Sequence, residues 1–241
     1  MIFQNFQKYP DLAYGLSERP DGPMKVNCRN PELRRRSQTN REKFFSRLGV
    51  PAEQTVSAGL VHAAHVAKVG ATQAGKVISN ADGLLAAETN LYLTITVADC
   101  LPIFLFAPKL PAIGLIHAGW RGLAQDIAAQ AVTGMAKSYA LDPRKIMAGI
   151  GPGIGKCHFE IQADTAYELR RFGKFLENQN GKIFGDLPSI AAAQLISGGI
   201  APGNLEIFPE CTFDRPEKYF SYRREKPQEI QAMVAYIGLK K

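Results

Sequence analysis

Histidine and cysteine are both scarce in this sequence of 241 residues, which has four of each. The cysteines are Cys28, Cys100, Cys157 and Cys211, and no two of them are spaced as a CxxC pair. In a reducing compartment this scatter favours free thiols over a disulfide framework. We therefore expect each cysteine to serve either packing or chemistry, and we assign no catalytic part to Cys28, Cys157 or Cys211.

The sequence also lacks long hydrophobic runs and a secretory signal. No window reaches the roughly 18 uninterrupted apolar residues of a membrane helix, and the start, "MIFQNFQKYPDLAYG", has no basic segment followed by an apolar one. Hydrophobic residues make up 46% and charged residues 21% of the chain, as in ordinary globular proteins. We predict one cytoplasmic domain over residues 1–241, with no membrane partner.

The net charge of +7 favours anionic partners, although charge alone does not separate nucleic acid from phosphate-bearing metabolites. The densest basic group is "RNPELRRRSQTNR", from Arg29 to Arg41. Asn30 and Pro31 begin a predicted helix there, and Phe44, Phe45 and Leu48 are expected to form its buried face. Because no exposed aromatics interleave with the arginines, we interpret the run as a solvated helix face and predict no nucleic-acid partner.

Short apolar or β-branched runs predict that sheet dominates the core. The predicted strands are TVSAGLV, LYLTITVA, IFLFA, AIGLIHA, KIMAGI, LEIF, YFSYR and QAMVAYI. Three helices are predicted at Leu123 to Tyr139, at ADTAYELRRFG and at LPSIAAAQLISGG. Both short links and helices connect the strands, so we predict a mixed α/β (α+β) fold, a layered sandwich of mixed sheets covered by helices.

Three of the scarce residues follow or end predicted strands. His62 follows TVSAGLV, Cys100 lies in "VADCLPIFLF", and His117 ends "AIGLIHAGWRG". If they meet at one sheet edge, two imidazoles and a thiolate make a zinc site with a fourth position open for water, as in catalytic zinc sites. The spacing matches no local zinc motif, and a buried packing thiol accounts equally for Cys100.

Several neighbouring residues are candidates for binding or proton transfer. Asp99, beside an apolar run, needs a partner or a function, such as orienting an imidazole or taking a proton. Trp120 could stack on a ligand and Arg121 could bind an anion, although a tight turn before a helix explains the same residues. The glycines of "GIGPGIGK" do not form a P-loop. In "KYFSYRRE", alternation along a strand would point one of Arg223 and Arg224 inward, towards an anion.

The motifs "ADG", "VADCLPI", "IGLIHAGWRG", "GIGPGIGKCHFEI" and "YFSYRRE", with Asn40-Arg41 upstream, resemble the laccase-domain family. These so-called polyphenol oxidoreductases are described as purine nucleoside phosphorylases with adenosine deaminase activity. The resemblance covers roughly residues 14–239. It implies a fold related to the toxin-type cysteine deamidases and a zinc site at His62, Cys100 and His117. Copper is an alternative occupant of the same site.

The resemblance implies phosphorolysis of purine nucleosides and deamination of adenosine. Its catalytic residues would be Cys100, His117, Asp99 and Arg223, and its substrate- and phosphate-binding residues would be Arg19, Arg121, Trp120 and Asn40. The sequence departs from the family where "LVHA" surrounds His62, where "SERPDG" differs from an N-terminal motif but retains Arg19, and where "KPQEIQAMV" lacks a Thr-Gly-Arg. The expected partners are a nucleoside and phosphate, and the expected state is a monomer or small homo-oligomer.

Two other enzymatic interpretations use the same residues. In a thiol hydrolase or deamidase, Cys100 would be the nucleophile and His117 its base. In a copper polyphenol oxidoreductase, four histidines would be too few for a blue-copper site and a trinuclear cluster. The scarcity of histidine and the family resemblance together predict about one zinc ion per chain at His62, Cys100 and His117, with His65 outside that set.

Overall fold

The chain forms two large β-sheets packed face to face, with helices on both outer sides. This architecture is seen in a computed structural model, which describes residues 1–240. The helices are α1 (Pro31–Arg47), α2 (Trp120–Ala124), α3 (Ile127–Tyr139), α4 (Ala163–Glu168), α5 (Leu187–Ser197) and α6 (Tyr222–Glu225). The strands are β1 (Leu12–Leu16), β2 (Thr55–Gly59), β3 (Val66–Lys68), β4 (Val77–Ser79), β5 (Gly83–Ala86), β6 (Tyr92–Val97), β7 (Leu101–Ala107), β8 (Ala112–Ala118), β9 (Met147–Ile150), β10 (Glu160–Ile161), β11 (Leu176–Gln179), β12 (Lys182–Gly185), β13 (Leu205–Ile207) and β14 (Met233–Leu239).

Both large sheets mix parallel and antiparallel pairs. The first has the order β1-β14-β6-β2-β4 and the second the order β13-β9-β7-β8-β5-β3, while β10, β12 and β11 form a small antiparallel sheet. Strands β7 and β8 are an antiparallel hairpin in which Leu101 pairs with Ala118 and Ala107 with Ala112. The mixed-sheet fold predicted from the sequence is thereby confirmed; the relation to the deamidase fold stays a prediction.

The alternation of side chains along β7 explains the layering. Phe104 and Phe106 pack into the core between the two large sheets, whereas Ile103 and Leu105 pack into the core beneath α3 and α5. Successive side chains of a strand point to opposite faces, so an apolar run buried on both faces links the two cores. On the far side of the other sheet, a third core contains Phe44 of α1. The layers are therefore helix, sheet, sheet and helices.

Three local predictions need correction. The predicted helix over Leu123 to Tyr139 is two helices, because Asp126 has a left-handed backbone (φ 61°) between α2 and α3. The segment YFSYR is not a strand: Ser221 caps α6 by accepting a hydrogen bond from Arg224 N–H. Leu48 is 37% exposed at the end of α1 rather than buried.

Another predicted helix is only partly formed. In ADTAYELRRFG, α4 ends at Glu168 and is followed by a 3-10 segment, Arg170–Phe175. In the described part of the chain, no helix combines the length and apolar character needed to cross a membrane.

Candidate metal centre and substrate cavity

A cavity of about 590 Å³ opens where the chain passes from one large sheet to the other. Strand β6 belongs to the first sheet and β7 to the second, and the link between them is Ala98–Cys100. Asp99 and Cys100 therefore lie in this link, not within a strand as the sequence suggested. The cavity is lined by His62, Cys100 and His117, among others.

Hydrogen bonds to Asp99 hold the link in an uncommon conformation. The backbone of Asp99 is left-handed (φ 82°), a conformation that non-glycine residues seldom adopt. Its buried carboxylate accepts hydrogen bonds from Thr212 Oγ1 (2.6 Å), Ser221 Oγ (3.1 Å) and Arg223 N–H (2.6 Å). Asp99 thus fixes the start of α6 against the cavity. Its described hydrogen bonds include none to an imidazole, and a part in proton transfer stays a prediction.

His117 is the penultimate residue of β8 and is buried, with 3% of its surface exposed. Its Nδ1 lies 3.6 Å from Asp82 Oδ1 and has no hydrogen-bond partner within residues 1–240. The neighbouring carboxylate favours a proton on Nδ1, which leaves Nε2 as the nitrogen available to a ligand.

Asp82 connects the two histidines and is not among the site residues predicted from the sequence. Its carboxylate is fully buried and accepts hydrogen bonds from the backbone N–H groups of Val61 (3.1 Å), His62 (2.8 Å) and Ala63 (2.8 Å). These bonds hold the loop after β2 in which His62 has a left-handed backbone (φ 59°). The signal was available, because Asp82 precedes the apolar run GLLAA just as Asp99 lies beside another apolar run.

The structure brings His62, Cys100 and His117 together. One ligand atom from each lies within 4.8 Å of the others, and the two imidazole rings are perpendicular, with centroids 4.9 Å apart. Gly119 allows this approach, because a Cβ there would lie only 2.9 Å from Cys100 Sγ. Two imidazoles and a thiol fit a zinc ion with an open fourth position, and copper accepts the same donors.

The ionisation of the cluster suits a metal ligand set. Burial would raise the pKa of the Cys100 thiol, but His117 and His62 lower it to about 6. Burial would lower the pKa of His117, but the charges and hydrogen bonds of Cys100 and Asp82 raise it to about 9. A thiolate is therefore present at neutral pH, and it could act as a ligand or as a nucleophile.

The remaining two histidines lie outside this cluster. His65 is exposed, and its Nδ1 lies 2.7 Å from the carbonyl oxygen of Asn80, so it is a surface residue as expected. His158 Nδ1 lies 3.2 Å from Cys157 Sγ. The two residues form a turn, so their side chains do not alternate as neighbours along a strand would.

Cys157 differs from Cys100 in its ionisation. Burial, followed by the negative charges of Cys211 and Asp214, raises the pKa of the Cys157 thiol to about 12. All four cysteines are free. A thiol that keeps its proton at neutral pH is a poor nucleophile, which supports the prediction that Cys157 has no catalytic part.

Aromatic and cationic side chains also line the cavity. Trp120 and Arg121 begin α2 directly after Gly119, and the guanidinium of Arg121 stacks on the indole at 4.2 Å. Within residues 1–240 that guanidinium has no ion pair or hydrogen bond. Lys25 and Phe159 also line the cavity. These side chains offer a free cation and π-faces to a ligand.

The arginines of the SYRR segment are positioned by backbone carbonyls. Arg223 lines the cavity and donates to Glu160 O (2.6 Å) and His158 O (3.3 Å). Arg224 donates to Thr212 O (2.7 Å) and forms an ion pair with Glu225 (2.7 Å). Arg223 and Arg224 are both half-buried, so the two arginines are not divided between inside and outside as strand alternation predicted.

Two predicted substrate-binding residues do not line the cavity. Arg19 forms an ion pair with Glu225 (2.5 Å), and Asn40 Nδ2 donates to Pro23 O (3.0 Å). The structure therefore does not bring them to the cluster, and their binding roles stay predictions.

The glycine-rich loop after β9 is also not an open anion pocket. Gly153 permits close packing, because a Cβ there would lie 2.4 Å from Leu101 and 2.9 Å from Asp99 O. Nearby N–H groups are used within the fold, as Gly151 donates to Pro102 O and Ile154 to Asp99 O.

Comparisons with known proteins agree on one family. A family model described as multi-copper polyphenol oxidoreductase laccase matches residues 13–240. Among curated proteins, a purine nucleoside phosphorylase of Xylella fastidiosa is 32% identical over 209 residues, covering 83% of this chain and 78% of the relative. A purine nucleoside phosphorylase of Deinococcus radiodurans is 31% identical over 229 residues, covering 94% and 86%. The crystal structure of YlmD from Geobacillus stearothermophilus superposes with a TM-score of 0.91 at 26% identity, covering 99% and 94%.

Proposed function

The chain belongs to the multi-copper polyphenol oxidoreductase laccase family, and on that premise we propose that it is a zinc-dependent purine nucleoside phosphorylase that also deaminates adenosine. The observation that carries the proposal is the convergence of His62, Cys100 and His117 at the cavity. Relatives that are 31–32% identical and named purine nucleoside phosphorylase support the substrate class. A cavity of about 590 Å³ is in the range of small-molecule sites.

His62, Cys100 and His117 would hold the metal, with Asp82 fixing the tautomer of His117 and the position of His62. A zinc ion bound there would supply Lewis-acid chemistry to the cavity. The lowered pKa of Cys100 gives the thiolate that metal binding requires without a strong base.

The cationic wall would bind phosphate. Arg121 has a guanidinium without a protein partner in the described chain, and Lys25 and Arg223 lie on the same cavity. In phosphorolysis, a phosphate oxygen bonds to the ribose C1′, the C1′–N bond breaks, and the purine leaves with the electron pair and takes a proton. The positively charged side chains on the cavity would orient the phosphate and neutralise its charge.

The aromatic side chains would bind the purine. Trp120 and Phe159 both line the cavity, and π-faces of this kind stack on bases without needing a particular base. Such stacking is compatible with both inosine and adenosine as substrates. In deamination, water bonds to C6 of adenine and ammonia leaves. The attacking water loses a proton and the leaving amine gains one. Asp99, the carboxylate nearest in sequence to the cluster, would transfer these protons.

Turnover assays test this proposal. Zinc-loaded protein is expected to convert inosine and phosphate to hypoxanthine and ribose 1-phosphate, and adenosine to inosine without phosphate. Chelation should abolish both reactions, and re-addition of zinc should restore them. Folded, zinc-loaded protein that releases no base from inosine, adenosine or guanosine with phosphate present would contradict the phosphorylase proposal.

A thiol hydrolase is the second candidate, favoured by the pair of Cys100 and His117 with a thiol pKa of about 6. That interpretation leaves His62 without a role, although Asp82 holds it against the pair. Iodoacetamide separates the two. For the zinc enzyme, labelling of Cys100 should rise as a chelator removes activity, whereas a nucleophilic Cys100 would label readily in untreated protein and chelation would leave turnover intact.

A further inference from the structure

A second cluster of metal-binding side chains lies outside the cavity, where two segments of the chain meet. Cys157 and His158 are in the turn after Gly155, and Cys211 and Asp214 are in the segment that precedes α6. One ligand atom from each of the four lies within 4.8 Å of the others. The cluster shares no residue with the His62, Cys100 and His117 set.

The distances within this cluster match a tetrahedral ion. His158 Nδ1 lies 3.2 Å from Cys157 Sγ and 3.3 Å from Asp214 Oδ1, and Cys157 Sγ lies 3.7 Å from Asp214 Oδ2. Zinc bonds of about 2.0–2.3 Å in a tetrahedron place neighbouring ligand atoms about 3.3–3.8 Å apart. The donors of Cys157, His158 and Asp214 therefore already lie close to ligand–ligand separations, and Cys211 Sγ lies within 4.8 Å of them.

The surrounding chain holds these donors in place. The imidazole of His158 stacks on Phe213 with the ring centroids 4.0 Å apart and the planes 12° apart. Gly155 N–H donates to Cys211 Sγ at 3.2 Å, and Thr212 N–H donates to Gly153 O at 2.9 Å, which joins the two segments. Contacts of this kind orient the side chains that bind a metal ion.

We propose that Cys157, His158, Cys211 and Asp214 form a second, structural zinc site. Two thiolates, an imidazole and a carboxylate select zinc over hard cations such as Mg²⁺ or Ca²⁺. Four protein ligands close the tetrahedron, which is the arrangement of structural rather than catalytic zinc. On binding, the two thiols give their protons to the buffer. Cys157 and Asp214 are exposed, so an ion can enter from solvent.

The site would brace one wall of the cavity. His158 O accepts a hydrogen bond from Arg223 (3.3 Å), and Thr212, beside Cys211, donates to Asp99 (2.6 Å). An ion joining the two segments would restrain both of these contacts. The chain would then bind two ions rather than the one expected from the sequence.

Cobalt titration of the reduced, metal-free full chain tests the proposal. Co²⁺ bound by thiolates gives a charge-transfer band, and mass spectrometry of the native protein counts the ions. We expect His62→Ala to keep one thiolate-bound cobalt, which the additional change Cys157→Ser removes. Cys28→Ser is the matched control, because Cys28 is a free thiol outside both clusters, and it should leave both ions bound.

Asp214→Asn gives a second measurement that keeps all thiols. It should weaken zinc binding at this cluster by more than the roughly 10- to 100-fold loss typical of removing a residue that only hydrogen-bonds to a metal ligand. Unchanged cobalt stoichiometry and affinity in both Cys157→Ser and Asp214→Asn would overturn the proposal. So would a reduced, metal-free His62→Ala protein that binds no cobalt. If only the site at His62, Cys100 and His117 fails to bind metal, wild type and His62→Ala will bind the same number of cobalt ions. The effects of Cys157→Ser and Asp214→Asn will not change.

Discussion

Replacing Asp82 by asparagine perturbs the group that joins His62 to His117. Oδ1 of Asp82 accepts from Val61 and His62, and Oδ2 accepts from Ala63. An asparagine oxygen can keep the first two bonds, but its NH₂ group then faces the N–H of Ala63, donor against donor. The substitution also removes the negative charge beside His117.

The expected cost follows from these contacts. One charge-assisted hydrogen bond is lost and one N–H is left without an acceptor, which together destabilise the fold by about 2–4 kcal/mol. Zinc affinity should fall about 10- to 100-fold, as for other carboxylates that orient a ligand histidine. Asp11→Asn, at an exposed carboxylate, removes the same charge as a control and should change stability by less than about 0.5 kcal/mol.

The contribution of Asp82 to folding stability should change with pH in a direction that its pKa determines. Burial would raise the pKa of Asp82, but His117 and the N–H groups of Ala63 and His62 outweigh it, so the pKa is lowered. A lowered folded-state pKa stabilises the protein above the unfolded value, about 3.9, and this contribution is lost as the pH falls through the folded value. The stability difference between wild type and Asp82→Asn should therefore narrow below about pH 4.

The assay is denaturant unfolding of metal-free protein, followed by the fluorescence of Trp120, the single tryptophan, together with a zinc titration. Asp82→Asn with the stability and zinc affinity of Asp11→Asn at pH 7 would refute the role assigned to Asp82.

Two further predictions concern the cavity. In metal-free protein, the rate at which iodoacetamide labels Cys100, measured by peptide mass spectrometry, should rise through about pH 6. Labelling of Cys157, with a thiol pKa of about 12, should stay slow despite its greater exposure. A midpoint near pH 8.5 for the labelling rate of Cys100 would contradict the environment assigned to it. In steady-state phosphorolysis, Arg121→Ala should raise the KM for phosphate about tenfold, equivalent to about 1.4 kcal/mol of lost binding. Arg170→Ala, which removes a similarly stacked surface arginine, should leave the KM for phosphate unchanged. Equal effects of the two substitutions would show that Arg121 does not bind phosphate.

The sequence predicted the sandwich because its signal is local. The alternation of β7, with Phe104 and Phe106 on one face and Ile103 and Leu105 on the other, is visible in the run LPIFLFA. It also predicted His62, Cys100 and His117 as a set, since histidine is scarce and the family resemblance points to the same residues. The structure shows that these three side chains lie close together, while their roles stay proposals.

The errors came from contacts between distant segments. Arg223 and Arg224 were assigned to a strand by alternation, but Ser221 and Asp99, 122 residues apart in sequence, together cap α6 instead. The position of Asp82 before the apolar run GLLAA is visible in the sequence, but its hydrogen bonds to the loop of His62 form only in the fold. Cys157 and His158 lie close together because the chain makes a turn there, which the run GKCHFEI does not indicate.

The most direct test of the central claim compares His62→Ala with His65→Ala. Both remove an exposed imidazole from the same loop region, but only His62 faces Cys100 and His117. Phosphorolysis of inosine is measured alongside the occupancy of the cavity site. His62→Ala should lose that ion and at least about 100-fold in kcat/KM, since a Lewis acid contributes several kcal/mol, and His65→Ala should retain both. Full phosphorolysis by His62→Ala, or loss of the cavity ion from His65→Ala with His62 intact, would contradict the account.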